Sequence, residues 1–255
     1  MKKVLSVVLS AAVLASAMML ASCGADTAKE TSGDALVMAT NAQFPPYEYH
    51  EGGQIVGIDA EIGAAIAEKL GKTLKIEDVE FDSVLAGVQS GKYDVGLAGI
   101  TVTEDRLQSM DFSDSYATGV QSIIVPEGSE ITSVDDLLAD GATYTVGVQL
   151  STTGDIYATD DFGDERVQRF QAGADAVAAL TSGKIDCVII DNEPAKSFVA
   201  ANEGLTILDT AYTEEEYAIC MAKGSELLDD INAAIAELKA DGTIASIIEK
   251  YIPAE

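Results

Sequence analysis

An α/β protein made of two similar lobes is what this sequence predicts, on three observations. Ser90, Gly91, Lys92 and Asp94 recur ninety-two positions later as Ser182, Gly183, Lys184 and Asp186. Each copy follows an apolar stretch of helical character, VLAGVQ or AVAALT, and precedes an apolar run. Each therefore reads as a helix, a glycine stop, a polar turn and a buried strand. Serine, glycine, lysine and aspartate are also ordinary turn residues. The duplicated unit is preferred because strand-like and helix-like segments alternate from Leu36 onward, the mark of a sheet packed by helices. Finally, of 255 residues, 233 remain once the first 22 are set aside, a length that suits two domains of about 100 residues better than one.

The elements follow in order. ALVMAT (35–40) is a strand, followed by the aromatic loop NAQFPPYEY (41–49). GIDAEIGAAIAEKLG (57–71) carries Ile58, Ile62, Ile66 and Leu70 at four-residue spacing and stops at Gly71, an amphipathic helix. LKIEDVEF, the helix ending at Gly91 and the strand VGLAG complete the first series. A second opens near Ile131, where Ser133 precedes two aspartates as a helix start. It continues through the strand YTVGV, a helix from STTG, the strand VQRF, the helix AGADAVAALTSG and the strand CVIID. SIIVP (122–126) reads as the first crossing between lobes and EYAICM (216–221) as the second, before helices from Ser225 and Thr243. The lobes are thus 35–123 with 219–255, and 124–218, with a ligand cleft between them.

The first 22 residues, with Lys2, Lys3, an apolar stretch and small residues before Cys23, form a secretory signal. Leu20, Ala21, Ser22 and Cys23 resemble the lipobox of bacterial lipoproteins, which implies cleavage before Cys23 and lipid on its sulfur. Residues 23–34 read as a flexible tether. Nothing downstream approaches the ~18 consecutive apolar residues of a membrane-spanning helix. The formal charge is −28, and −30 once Lys2 and Lys3 are gone, which excludes nucleic acid and anionic headgroups as partners. Cys187 and Cys220 lie in apolar runs and read as small buried side chains; the compartment permits a disulfide but their spacing does not indicate one.

Few parts for catalysis are present. His50 is the one histidine, in a polar loop, and there is no H-E-x-x-H, no G-x-S-x-G and no phosphate loop, so neither a metal nor a cofactor is expected. Polar groups stand instead at strand ends. Arg106, in AGITVTEDR, is placed to grip a carboxylate bidentately, or is a surface helix arginine. Ser151, Thr152 and Thr153 enter a helix, where free N–H groups favour an anion, or simply cap it. Asp191 ends the second repeated strand, where its carboxylate meets an ammonium group or closes a turn.

The chain resembles the extracellular amino-acid-binding proteins of bacterial ABC importers, in the polar-amino-acid family of glutamine, histidine and lysine/arginine/ornithine binders. The segments GIDAEIGAAIAEKLG, AGITVTEDRLQSMDFSDSY (98–116) and NAQFPPYEY carry the resemblance, which spans the mature body. It implies the two-lobed periplasmic-binding-protein fold with two crossing strands. It also implies that Arg106 and the surroundings of Thr101 hold an α-carboxylate, with Thr152 and Thr153 closing from the other lobe. The Gly99 carbonyl, the Thr101 hydroxyl and Asp191 would take the α-ammonium, Phe44 and Phe81 would flank the ligand side chain, and Asn41 would lie near its tip. Asn41 stands where basic-ligand binders carry aspartate, and Ala98 where they carry serine, which favours a neutral polar ligand such as glutamine, or cystine. Glu48 or another acid reaching in would reverse that preference. The expected partners are a free L-amino acid, a membrane permease and the membrane itself through the lipid, with the protein a monomer. Two other classes compete: an enzyme of the cyclohexadienyl-dehydratase kind on the same fold, and an extracellular amino-acid sensor.

Overall fold

The computed structural model describes residues 34–209 and 211–253, so the signal segment, Cys23 and the tether up to residue 33 lie outside the described residues. The chain begins with β1 (Ala35–Thr40), a small meander of β2 (Gln43–Phe44), β3 (Glu48–Glu51) and β4 (Gln54–Val56), then α1 (Ile58–Lys69) and β5 (Thr73–Asp78). Next come α2 (Phe81–Gln89), β6 (Val95–Gly96), α3 (Glu104–Ser109) and β7 (Met110–Phe112). The middle holds β8 (Ala117–Pro126), α4 (Val134–Leu138), β9 (Val146–Gln149), α5 (Thr153–Phe162), β10 (Val167–Phe170), α6 (Gly173–Thr181) and β11 (Cys187–Asp191). It continues with α7 (Asn192–Ala201), β12 (Leu205–Ile207) and β13 (Thr213–Tyr217). Finally β14 (Cys220–Ala222), α8 (Leu228–Ala240) and α9 (Thr243–Tyr251) follow.

Two sheets result. The first runs β5-β1-β6-β14-β7, with β1 parallel to β5 and β6 and β14 antiparallel to both its neighbours. The second runs β10-β9-β11-β8-β12, with β9 parallel to β10 and β11 and β8 antiparallel to β11 and β12. Helices cover both, and the isoleucine ladder of α1 explains how: Ile58, Ile62 and Ile66 are all buried against the first sheet. Each buried side chain of that size stabilises the packing by about 1.5–3 kcal/mol.

The repeated phrase builds the same device in each sheet. Ser90 Oγ donates to Gly87 O at 3.1 Å, and Ser182 Oγ to Ala179 O at 3.0 Å. Gly91 and Gly183 take the left-handed conformation, φ 72° and 68°, that a helix stop of this kind asks of glycine. Asp94 Oδ2 then accepts the Val37 N–H at 2.8 Å and Asp186 Oδ2 the Thr145 N–H at 2.7 Å, each fastening the turn to the parallel strand alongside. The helix start expected at Ser133 is that of α4, where Ser133 and Asp136 form a capping box.

One expectation is corrected. Residues 122–126 do not cross between the sheets; Ser122–Ile124 pair with β11 and Ile124–Pro126 with β12, inside the second sheet. The passage lies earlier, where Ser113 N–H donates to Ile219 O and Tyr116 N–H to Tyr217 O, both at 2.9 Å, before β8 pairs with β13 from Ala117–Tyr217 to Gln121–Thr213. An apolar run such as IIVP suits a central strand as well as a crossing, and periodicity does not tell them apart. The second crossing, 216–221, does contain the passage, between β13 and β14. Cys187 and Cys220 are free thiols buried in different sheets.

Candidate functional site

The carboxyl ends of the parallel strands in both sheets open onto one cavity, the position at which open α/β sheets take their ligands. The first sheet contributes Asn41 after β1 and Ala98, Gly99 and Thr101 after β6, with Phe81 from α2 and Arg106 from α3. The second contributes Gln149 at the end of β9, Thr152 and Thr153 at the start of α5, and Asp191 at the end of β11. Phe44 and Glu48 enter from the meander, and Gln121 and Tyr217 from the β8–β13 ribbon. All nine residues expected to surround a ligand thus line the same cavity. Gln121, Gln149 and Tyr217 were not anticipated.

Arg106 is 7 % exposed. Its Nη1 donates to Thr101 O at 2.8 Å and its Nη2 crosses the cleft to Ser151 O at 3.0 Å, while its guanidinium carbon stands 5.7 Å from the Phe81 ring centre. Both acceptors are neutral carbonyls, and burial lowers the guanidinium pKa, opposed by nearby acids including Glu215. A buried cation with neutral partners is a strong electrostatic demand for an anion. Ser151 aims its carbonyl there from a left-handed backbone, φ 66°, with its N–H donating to Asp155 Oδ2 at 3.0 Å. Thr152 caps α5, accepting from Asp155 N at 3.3 Å and donating to Gln149 O at 2.8 Å, so capping and cavity lining coincide in one residue. Thr153 Oγ1 meets Thr101 Oγ1 across the cleft at 3.4 Å.

Opposite this pole the walls are acidic. Asp191, 1 % exposed, accepts the Tyr217 hydroxyl at 2.7 Å, Val120 N–H at 3.0 Å and Glu193 N–H at 3.1 Å. Burial nevertheless raises its pKa to about 6, with those three hydrogen bonds working against the shift. Gly99 needs to be glycine: its φ is 53°, and a Cβ would meet Phe44 Cε1 at 2.9 Å. Its N–H donates to Asp59 Oδ2 at 2.9 Å. Asp59, fully buried, also accepts the Tyr116 hydroxyl, and burial raises its pKa to about 6.

The far end of the cavity holds an amide pair and an acid. Gln149 Nε2 donates to Asn41 Oδ1 at 2.9 Å and to Gln171 O at 3.1 Å, and Asn41 Nδ2 donates to Val79 O at 3.0 Å. Both poles of the Asn41 amide are therefore engaged by protein. Glu48 is fully buried, its carboxyl set against that of Asp59, and no cation pairs with it among the described residues. Burial, then the nearby Asp59, raises its pKa well above the ordinary carboxyl range. Phe44 stacks on Tyr47 at 5.6 Å and Tyr47 meets Tyr217 edge-on at 5.3 Å, which backs this end with rings. Among the described residues no His, Cys, Asp and Glu cluster could hold a metal ion, and His50 sits at the surface against Asp78.

Residues 36–254 match the model of the bacterial extracellular solute-binding proteins, family 3. The chain belongs to that family. This solute-binding protein is 32 % identical to the arginine-binding extracellular protein ArtP of Bacillus subtilis, over 92 % of its own length and 93 % of the relative's. Among solved structures it is similar to the arginine-, lysine-, histidine-binding protein ArtJ of Geobacillus stearothermophilus, with a TM-score of 0.82 and 32 % identity over 87 % of this chain and 96 % of that one. It is also similar to an ancestral arginine-binding protein bound to glutamine, with a TM-score of 0.80 and 37 % identity over 86 % and 98 %. The two sheet-and-helix lobes of the solute-binding protein are those of this two-lobed fold.

Proposed function

We propose that this solute-binding protein is the receptor of an amino-acid ABC importer, that it is not an enzyme, and that its ligand is an L-α-amino acid with a cationic side chain, arginine above all. The observation that carries the ligand is Glu48, a carboxyl fully buried in the cavity wall beside that of Asp59 and with no cationic partner among the described residues. Ionising such a group costs free energy in the empty protein, and a donor-rich cation beside it offsets that cost. A guanidinium offers five N–H donors, against the two of a glutamine amide. ArtP is named for arginine and ArtJ for arginine, lysine and histidine, which supports the same chemistry, whereas the ancestral arginine-binding protein is bound to glutamine.

At the other end, Arg106 holds the α-carboxylate with the first turn of α5, where Thr152 and Thr153 stand. Asp191, Thr101 and the Gly99 carbonyl hold the α-ammonium, and Phe44 and Phe81 flank the side chain. Because the ligand touches groups from both lobes only when they are closed, its differential affinity shifts the protein to the closed state, which the permease recognises. The two lobes, each one of the two large sheets with its helices, move as units about the crossing strands. Cys23 carries the lipid that keeps this monomer at the outer face of the membrane, and Cys23→Ser releases it from the membrane fraction.

A second reading, glutamine or cystine, is favoured by the uncharged amides of Asn41 and Gln149 at the cavity end. A calorimetric panel of arginine, lysine, histidine, glutamine and cystine separates the two. Arginine binding tightest supports the cationic reading, glutamine or cystine tightest supports the second, and no heat with any amino acid removes the receptor assignment.

A further inference from the structure

The strand β13 reads Thr-Glu-Glu-Glu-Tyr, and its two-residue period turns Glu214 and Glu216 outward while Glu215 and Tyr217 point inward. Glu215 is 5 % exposed, an unusual place for a carboxylate without a cationic partner on it. Its Oε2 accepts the Gln121 Nε2 at 2.9 Å across the β8–β13 ribbon, and the Tyr157 hydroxyl of α5 also meets its carboxylate. Gln121, also 5 % exposed, lines the cavity, and its own Oε1 is buried without a hydrogen bond. On the other edge of β8, Gln121 is the cross-strand partner of Asp191, so the two side chains leave the same face of the sheet. The free oxygen of Gln121 lies beside the first turn of α5, where a Cβ on Gly154 would meet it at 3.1 Å.

An amide can turn either its oxygen or its nitrogen to a neighbour, but a carboxylate can only accept. Glu215 therefore dictates which end of Gln121 faces it. From this geometry we infer that Glu215 is a positioning residue of the pocket: it holds the Gln121 amide with the carbonyl oxygen toward the cavity, making that wall an acceptor for the ligand ammonium beside Asp191. The inference rests on reading the cavity as an amino-acid site. A buried acceptor left unmatched is costly, and the matching donor is absent from the surrounding protein atoms; an ammonium group has three. The charge of Glu215 also falls on Arg106 and on Asp191, so the same carboxylate faces both poles of the site.

The test uses four proteins, wild type, Glu215→Gln, Gln121→Glu and the reciprocal double variant, each titrated with whichever amino acid the wild type binds best. Melting of each empty protein is followed alongside. Glu215→Gln removes the dictated orientation and weakens binding about tenfold or more, the effect of one charged hydrogen bond misplaced. Gln121→Glu sets two carboxyls against each other and weakens binding further, with recovery as the pH falls and one of them takes a proton. The double variant restores binding to within about threefold of wild type, because the amide at 215 donates to the carboxylate at 121, whose other oxygen again faces the cavity. A merely structural pair would lower the melting temperatures of the single variants and leave affinity where it was. Wild-type affinity in Glu215→Gln, or a double variant no tighter than the weaker single one, overturns the positioning role alone. A wild type that binds no amino acid overturns the receptor reading and this inference together.

Discussion

Arginine binding is expected to release a proton, and the release identifies Glu48 as the site of the ligand's side-chain charge. In the empty pocket, burial and the neighbouring Asp59 hold the Glu48 carboxyl well above its ordinary pKa, which favours its neutral form. A guanidinium beside it favours the ionised form and lowers that pKa. The sign follows: binding is accompanied by loss of a proton from the Glu48–Asp59 pair, so arginine affinity rises with pH, by up to about tenfold per unit, until the empty-state pKa is passed. Asp191, at about 6, contributes a similar slope for every α-amino acid at lower pH, which is why the ratio of arginine to glutamine affinity is the quantity to follow above about pH 6.5. Glu48→Gln deletes the charge and keeps the shape. A charged hydrogen bond is worth about 1.5–3 kcal/mol, so arginine affinity should fall roughly 10- to 150-fold, glutamine affinity should change little, and the slope of the ratio should vanish. Isothermal titration in buffers of different ionisation enthalpy counts the proton directly. An arginine affinity that is flat with pH, or unaltered in Glu48→Gln, would refute the reasoning.

Three further outcomes are expected. Arg106→Ala should lose at least tenfold in affinity for any α-amino acid, since its Nη2 also links the lobes through Ser151 O, whereas Arg166→Ala, which breaks bonds to Tyr144 O and Leu137 O away from the cavity, should leave affinity within about twofold in the same calorimetric assay. The empty protein should melt higher at about pH 5 than at about pH 7. Asp59 and Asp191 ionise at about 6 when folded and near 3.9 when unfolded, so the folded state binds more protons between those values and loses stability as the pH rises, by about 1.4 kcal/mol per unit for each group. Asp186→Asn should lower the melting temperature by weakening the bond to Thr145 N–H, with affinity kept, while Asp191→Asn should weaken binding strongly; scanning calorimetry and titration of the two variants together check the pair.

What could be read from the sequence divides along the range of the interactions. The duplicated serine-glycine-lysine-aspartate phrase was legible because its device is local: a helix stop, a left-handed glycine and a side-chain bond to the adjacent parallel strand. The isoleucine spacing of α1 and the capping serine of α4 are local in the same sense. The passage between lobes was misplaced because IIVP carries only hydrophobicity, and burial on both faces of a strand leaves no period from which to read its partner. The site shows the same division. Residues at strand ends and helix starts, such as Arg106, Thr152 and Asp191, are marked by position along the chain. Asn41 is too, yet its chemistry is not: its amide is consumed by Gln149, 108 residues away, and by Val79 O, so the polarity at the cavity end passes to Glu48. Gln149 offered a faint signal as the one polar residue closing the apolar run VGVQ, and Glu215 offered only the two-residue period of β13. Specificity in this fold is written in contacts between distant segments, so the residues that choose the ligand are those whose neighbours the chain order conceals.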